Sequence, residues 1–159
     1  MTTSSPASGV WVTVAARLIL GMTFVYLGLV KALDPVGFLK LVRQFETLPQ
    51  PFALNAVAAV LPWFEIFCGA LLLVGIRPRG TALVTLVLLI GFTSLIALRA
   101  LATFRGGALP FCAIRFDCGC GAGEVLICSK LAENFLLCLL SLVVLLRPSR
   151  RFCLWPEAD

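Results

Sequence analysis

The chain has 159 residues, of which 60% are hydrophobic and only 13% are charged. Soluble domains carry about 25% charged residues, so a soluble fold this small could not bury so much apolar surface. The net charge is +5 and histidine is absent, which excludes histidine-ligated haem and catalysis by imidazole. No segment combines stacking aromatics with a basic groove, so the charge does not indicate nucleic-acid binding.

Four long apolar segments follow one another along the chain, at about 10–30, 52–74, 81–101 and 125–146. Each approaches the roughly 20 residues that a helix needs to cross the hydrocarbon core of a bilayer. The first segment is too long for the core of a signal peptide, so we expect it to be retained as a span. The sequence therefore predicts an all-α, integral membrane four-helix bundle, with residues 1–159 forming one domain in the lipid bilayer.

The connection between the first two spans contains a second helical pattern. Its apolar residues recur at i, i+3, i+4 and i+7, with charged residues between them. This spacing predicts an amphipathic helix that lies at the membrane interface. The apolar positions are Phe38, Leu41, Val42 and Phe45.

Four spans place both termini on the same side as the short turn at residues 75–80. Arginines without neighbouring acidic residues concentrate on that side, whereas the opposite side mixes basic and acidic residues. The five are Arg77, Arg79, Arg147, Arg150 and Arg151. The positive-inside tendency then predicts cytoplasmic termini in the inner (plasma) membrane, with the loop at residues 102–124 outside the cytoplasm.

That loop leads into the last span with four cysteines: Cys112, Cys118, Cys120 and Cys128. In the first of three interpretations, Cys118 and Cys120 form a labile disulfide that exchanges with another protein or a membrane quinone, assisted by a helix N-terminus. In the second, the cysteines form structural disulfides, for which four cysteines allow three connectivities. A four-cysteine metal site is the third, although the paired CxxC spacing of zinc sites is missing. Cys112 and Cys128 fit either a second shuttle pair or a staple.

Two charged residues lie inside the first two spans. Arg17 is 7 residues beyond Val10 and Glu65 is 9 residues before Val74. At 1.5 Å per residue, these positions lie about 10 and 14 Å from the same membrane face, so we expect an Arg17–Glu65 ion pair. It would be either a structural contact or the polar floor of a quinone or small-ligand pocket. Lys31 could pair with Glu133 or Asp34, or extend to the headgroups.

Three patches, in this order, resemble the DoxX-like membrane proteins and especially their methylamine-utilisation MauE branch. The first is RLILGMTFVYLGLVKALDPVGF, the second is LPQPFALNAVAAVLPWFEIFCGALLLVG, and the third is DCGCG with Asn134 downstream. Gly121 stands where the family often has an aromatic residue, and Glu133 where it often has arginine. The resemblance implies a four-helix bundle. It also implies a role in maturing the disulfide-rich small subunit of methylamine dehydrogenase with a thioredoxin-like partner, whereas the broader DoxX branch is linked to quinone-reducing sulfur oxidation.

The leading hypothesis is therefore a membrane thiol–disulfide oxidoreductase. Cys118 and Cys120 would form or relay disulfides outside the cytoplasm, with a thioredoxin-like protein or a periplasmic dehydrogenase subunit as partner and quinone as a candidate acceptor. The alternative is a non-catalytic membrane subunit or assembly factor whose loop is stapled by disulfides. A small-molecule transporter is a third interpretation.

Overall fold

Four long helices dominate the computed structural model, which describes residues 7–44, 51–107, 110–117, 124–147 and 153–154. They are α1 (Ala7–Leu33), α3 (Pro51–Val74), α4 (Pro78–Arg105) and α5 (Ile127–Leu146), and the shorter α2 (Pro35–Gln44) follows α1. All four long helices are long and apolar enough to cross a membrane. The predicted all-α membrane four-helix bundle is thus confirmed.

The antiparallel helices α1 and α3 pack closely because glycines line their contact. A methyl group added at Gly28 would lie 2.7 Å from the Pro62 carbonyl oxygen, and one added at Gly69 would lie 2.7 Å from the Gly21 carbonyl oxygen. Small residues of this kind allow helix backbones to approach closely in membranes. An apolar cluster from all four long helices fills the middle of the bundle and consists of Leu20, Phe24, Leu72, Leu89 and Leu137.

A tight turn joins α3 to α4. Gly75 has φ of 76° and its N–H donates to the Leu71 carbonyl, which ends α3 with a left-handed residue. Arg77 also has a positive φ, of 43°, and Pro78 begins α4. Proline suits the first helical position because its missing N–H would have no helical partner there. We call this end of the bundle the turn end.

The amphipathic segment forms α2, which folds back against α3. Asp34 begins this helix by accepting a hydrogen bond from the Gly37 N–H at 2.9 Å, and Pro35 occupies the first helical position. Phe38 is buried, whereas Lys40 and Arg43 are exposed. The predicted helix is present, Phe45 lies outside the described residues, and location at the membrane interface stays a prediction.

The cysteine-containing connection is more ordered than the predicted loop. Helix α4 continues to Arg105, and a 3-10 turn at Phe111–Ala113 leads into an antiparallel hairpin of β1 (Arg115–Asp117) and β2 (Glu124–Leu126). Arg115 faces Leu126 and Asp117 faces Glu124 in this hairpin. Residues 118–123 join the two strands and lie outside the described residues. We call this end of the bundle the hairpin end.

Candidate functional site at the hairpin end

The base of the hairpin is fixed to the bundle by a covalent bond and a hydrogen bond. Cys112 and Cys128 form a disulfide whose Cα atoms are 5.1 Å apart. The Ile127 N–H donates to the Ile114 carbonyl at 3.1 Å. Both isoleucines are buried against Ile96 and Ala100 of α4 in one apolar cluster. The hairpin is therefore anchored to α4 and to the first turn of α5.

The predicted dithiol falls in residues 118–123, the part of the chain that connects β1 to β2 and that we call the tip. Cys118 and Cys120 fall in the segment outside the described residues, so their pairing stays a prediction. The disulfide at the base also removes two of the four thiolates that a Cys₄ metal site would need. Among the residues described, no three metal-binding side chains cluster together.

An ion pair is buried between α1 and α3. The Lys31 ammonium donates to both carboxylate oxygens of Glu65, at 2.5 and 2.7 Å, and the two side chains are only 8% and 4% exposed. Phe38 of α2 and Phe92 of α4 place their rings 5.4 and 4.9 Å from the ammonium. Cation–π contact at these distances adds to the attraction of the carboxylate. Lys31 thus contacts residues of three other helices.

The expected Arg17–Glu65 pair is wrong, because the packing of α1 against α3 places these two residues at different depths. Gly21 packs against Gly69 and Gly28 packs against Pro62, so each step forward along α1 faces one step back along α3. Glu65 is therefore opposite position 25, not position 17. Helical side chains also tilt toward their own N-terminus, which in antiparallel helices moves Lys31 and Glu65 toward each other. The partner missed from the sequence is Lys31.

Arg17 lies instead near the turn end. Its Nη1 donates to the Cys153 sulfur at 2.7 Å, and the Leu154 N–H donates to the Val74 carbonyl at 3.3 Å. The chain after α5 thus contacts α1 and the end of α3. Arg17 and Lys31 are 14 residues apart on α1, or about 21 Å along its axis. Arg17 and the Lys31–Glu65 pair therefore lie at different heights in the bundle, and a role of Arg17 or Glu65 in binding a ligand stays a prediction.

Polar side chains of α4 and α5 adjoin the ion pair. Lys130 is buried, donates to Glu133 at 2.9 Å, and is close enough to Lys31 and Glu65 to act on both electrostatically. Asn134 donates to the Thr93 hydroxyl at 3.1 Å and links α5 to α4. The pairing of Lys31 with Glu133 or Asp34 considered from the sequence is thus replaced by Lys31–Glu65 and Lys130–Glu133.

These groups form a polar cluster beneath the hairpin, where every long helix contributes a side chain. Charged groups in lipid are costly and are expected to pair or to serve a function. The hydrogen bonds here run from cation to carboxylate and from amide to hydroxyl within the protein, so the cluster holds the helices together. Cys68 and Cys138 are not disulfide-bonded, and Cys138 packs against the central apolar cluster.

The fold and site define a class: a multi-pass helical membrane protein that carries a disulfide-anchored cysteine hairpin above a buried ion pair. Residues 9–147 match the family model described as methylamine utilisation protein MauE. The match covers most of the chain, which therefore belongs to the MauE family. No curated protein and no solved structure matches the chain.

Proposed function

We propose that this MauE-family protein is a membrane thiol–disulfide relay that serves the maturation of a periplasmic dehydrogenase such as methylamine dehydrogenase. Family membership supports the link to methylamine utilisation. The observation that carries the thiol chemistry is the Cys112–Cys128 disulfide, which closes a ring around the hairpin and both tip cysteines. A short anchored hairpin would present Cys118 and Cys120 to a protein partner while holding them at the bundle.

The proposed exchange needs no further oxidant. A thiolate of a thioredoxin-like partner attacks one sulfur of the Cys118–Cys120 disulfide, and the other sulfur leaves as a thiolate. The partner's second thiolate then attacks the mixed disulfide and releases the second tip cysteine. One disulfide and two electrons have been exchanged between the proteins, and the reverse sequence passes a disulfide to the tip. Continuous net oxidation would require an acceptor of the quinone class.

In this scheme the tip reacts and the base is a structural staple. Cys128 is half-buried beside the apolar cluster that anchors the hairpin, and the strands separate the base from the tip. The base disulfide also supports a second candidate function, a non-catalytic assembly factor whose hairpin is only a binding element. The two candidates differ in whether the tip thiols exchange.

The orientation belongs to the same proposal. We infer an inner-membrane location with cytoplasmic termini, because Arg77 and Arg79 lie at the turn end and Arg147 directly follows α5. The hairpin would then face the oxidising compartment, where disulfides persist.

The test is trapping of the cysteine redox states in native membranes by acid quenching and alkylation. We expect a mixture of reduced and oxidised Cys118 and Cys120, and a fully oxidised Cys112–Cys128 pair. Cys118→Ser and Cys120→Ser should each abolish function, and one should accumulate a mixed disulfide with a soluble partner. Cys68→Ala is the matched control and should keep full activity. Full activity of both tip variants would contradict the relay and favour the second candidate function, the non-catalytic assembly factor.

A further inference from the structure

Helix α2 begins at the membrane surface on the hairpin side of the bundle. In the packing of α1 against α3, Gly21 faces Gly69, so Ala16 of α1 faces Val74, the last residue of α3. Helix α1 ends at Leu33, about 26 Å farther along its axis than Ala16. The hydrocarbon core of a bilayer is about 30 Å thick, so the chain reaches its surface where α2 starts. With 10 residues, α2 is too short to cross the bilayer again.

One side of α2 is attached to the bundle, and this attachment determines which side faces outward. The Phe38 side chain is buried, and its ring lies 5.4 Å from the Lys31 ammonium. Positions i, i+4 and i+7 share a different side of the helix, and here their side chains are exposed. They are Val36, Lys40 and Arg43, and we call these three residues the outer face of α2.

The outer face combines an apolar start with a basic end. Val36 is 62% exposed, and Leu33, just before the helix, is 83% exposed. Water would leave this apolar surface hydrated, whereas lipid acyl chains would cover it. The long side chains of Lys40 and Arg43 can extend from the apolar boundary to the headgroups. Within the part of the chain that the structure describes, neither of these two cations forms an ion pair.

We infer that the outer face of α2 binds the headgroup of an anionic phospholipid, with Val36 against the acyl chains and Lys40 and Arg43 on the phosphate. Charge complementarity selects the lipid, because α2 holds two cations and no carboxylate. The neighbouring Asp34 carboxylate accepts a hydrogen bond from the Gly37 N–H at 2.9 Å and caps the helix. Basic residues next to a membrane surface favour anionic lipids over zwitterionic ones.

The experiment places a photo-crosslinking amino acid at Val36 in the full chain, reconstituted in vesicles of equal parts phosphatidylglycerol and phosphatidylcholine. Mass spectrometry of the adducts gives the ratio of the two lipids at this position. Leu139 of α5 is the control position, because it is exposed in the middle of a span. We expect phosphatidylglycerol to exceed phosphatidylcholine at least about fivefold at position 36, and equal amounts at position 139. Equal amounts at position 36, or no lipid adduct there, would overturn the inference.

Charge variants separate this contact from the overall charge of the protein. Lys40→Gln/Arg43→Gln should remove the excess of phosphatidylglycerol at position 36, whereas Lys40→Arg/Arg43→Lys should keep it. Arg99→Gln/Arg105→Gln is the matched control, because it removes two exposed cations of α4 at the same end of the bundle. An equal loss in this control would contradict a site on α2, as would an excess that the first variant leaves unchanged. Melting temperatures show that each variant is folded.

Two further measurements identify the ligand. Inorganic phosphate, compared with sodium chloride of the same ionic strength, should leave the lipid ratio at position 36 unchanged, because an intact lipid also covers the apolar part of the outer face. Loss of the excess in phosphate alone would assign the site to free anions and overturn the inference. Cys118→Ser should keep the lipid ratio, so failure of the thiol relay and failure of this lipid contact are distinguishable.

Discussion

The two ends of the bundle hold their buried cations in different ways. At the hairpin end, Lys31 meets a carboxylate of the neighbouring helix and two aromatic rings. At the turn end, Arg17 contacts the sulfur of Cys153, which follows the last span. The first arrangement depends on the register of packed helices, whereas the second depends on where the chain after α5 folds back. Packing of the long helices should therefore be enough to keep the Lys31–Glu65 pair, but not the contact of Arg17 with Cys153.

The largest effect should come from breaking the ion pair. Lys31→Met or Glu65→Gln alone should lower the free energy of unfolding by about 3–5 kcal/mol. The first variant leaves the Glu65 carboxylate buried without its cation, and the second leaves the Lys31 ammonium buried without its anion. The double variant Lys31→Met/Glu65→Leu should recover most of this loss. Unfolding in mixed detergent micelles measures both.

A double-mutant cycle tests whether Glu65 and Arg17, the cation at the turn end, contribute independently to stability. Arg17→Met and Glu65→Gln should be additive within about 0.5 kcal/mol, because the two sites share no contact. A strong Arg17–Glu65 coupling in this double-mutant cycle would contradict the register that separates the two ends.

The disulfide should matter only at the hairpin end. Cys112 and Cys128 are 16 positions apart, and closing a loop of this size stabilises a fold by about 3 kcal/mol. Cys112→Ser and Cys128→Ser should therefore expose the hairpin to proteolysis equally, while the contact of Arg17 with Cys153 is unchanged. Limited proteolysis in detergent tests this, with Cys138→Ala as the control. Unequal effects of the two serine variants would indicate that one of these cysteines takes part in thiol exchange and is not only a structural half of the disulfide.

The glycine contacts between α1 and α3 lie between the two ends of the bundle. Gly28→Ala should cost about 1–3 kcal/mol, because the added methyl group would meet the Pro62 carbonyl and Ile66 at 2.7 Å. Gly91→Ala should be nearly neutral, since no atom lies within 4 Å of its added methyl group. Thermal unfolding of the two variants side by side provides the comparison. Equal destabilisation by the two variants would contradict the open space found next to Gly91.

The helices could be predicted from the sequence, but their relative heights could not. Apolar segments of the right length predict spans, because lipid requires helices whose backbone groups are satisfied internally. The depth of Arg17 and Glu65 was estimated from the ends of the apolar runs, yet α1 begins at Ala7 and the glycine contacts set its register. Lys31 was expected to pair with Glu133 or Asp34 or to extend to the headgroups, whereas it reaches the Glu65 carboxylate in this register.

The hairpin and its disulfide were less accessible to sequence reasoning. Three-residue strands are too short to show the alternation that identifies a strand, although a glycine-rich segment between RFD and EVL was an available turn signal. The Cys112–Cys128 pairing was open because the spacing of four cysteines does not determine their connectivity. The packing of Ile114 and Ile127 on α4 brings these two cysteines together, and it depends on tertiary structure.

The smallest effect should come from the hydrogen bond between Asn134 and Thr93, which belongs to the hairpin end but carries no charge. Interhelical hydrogen bonds in membranes contribute about 0.6 kcal/mol on average, because polar groups also find partners in the unfolded state within the bilayer. Thr93→Val and Asn134→Leu should each be mildly destabilising, and their double-mutant cycle in detergent should give a coupling near that value. Ser94→Ala on the same helix is the control, since its hydroxyl donates only to the Ile90 carbonyl and links no second helix. A coupling as large as that of Lys31 with Glu65 would show that Asn134 supports the charged cluster directly. The distinction between the charged and neutral contacts at this end would then be lost.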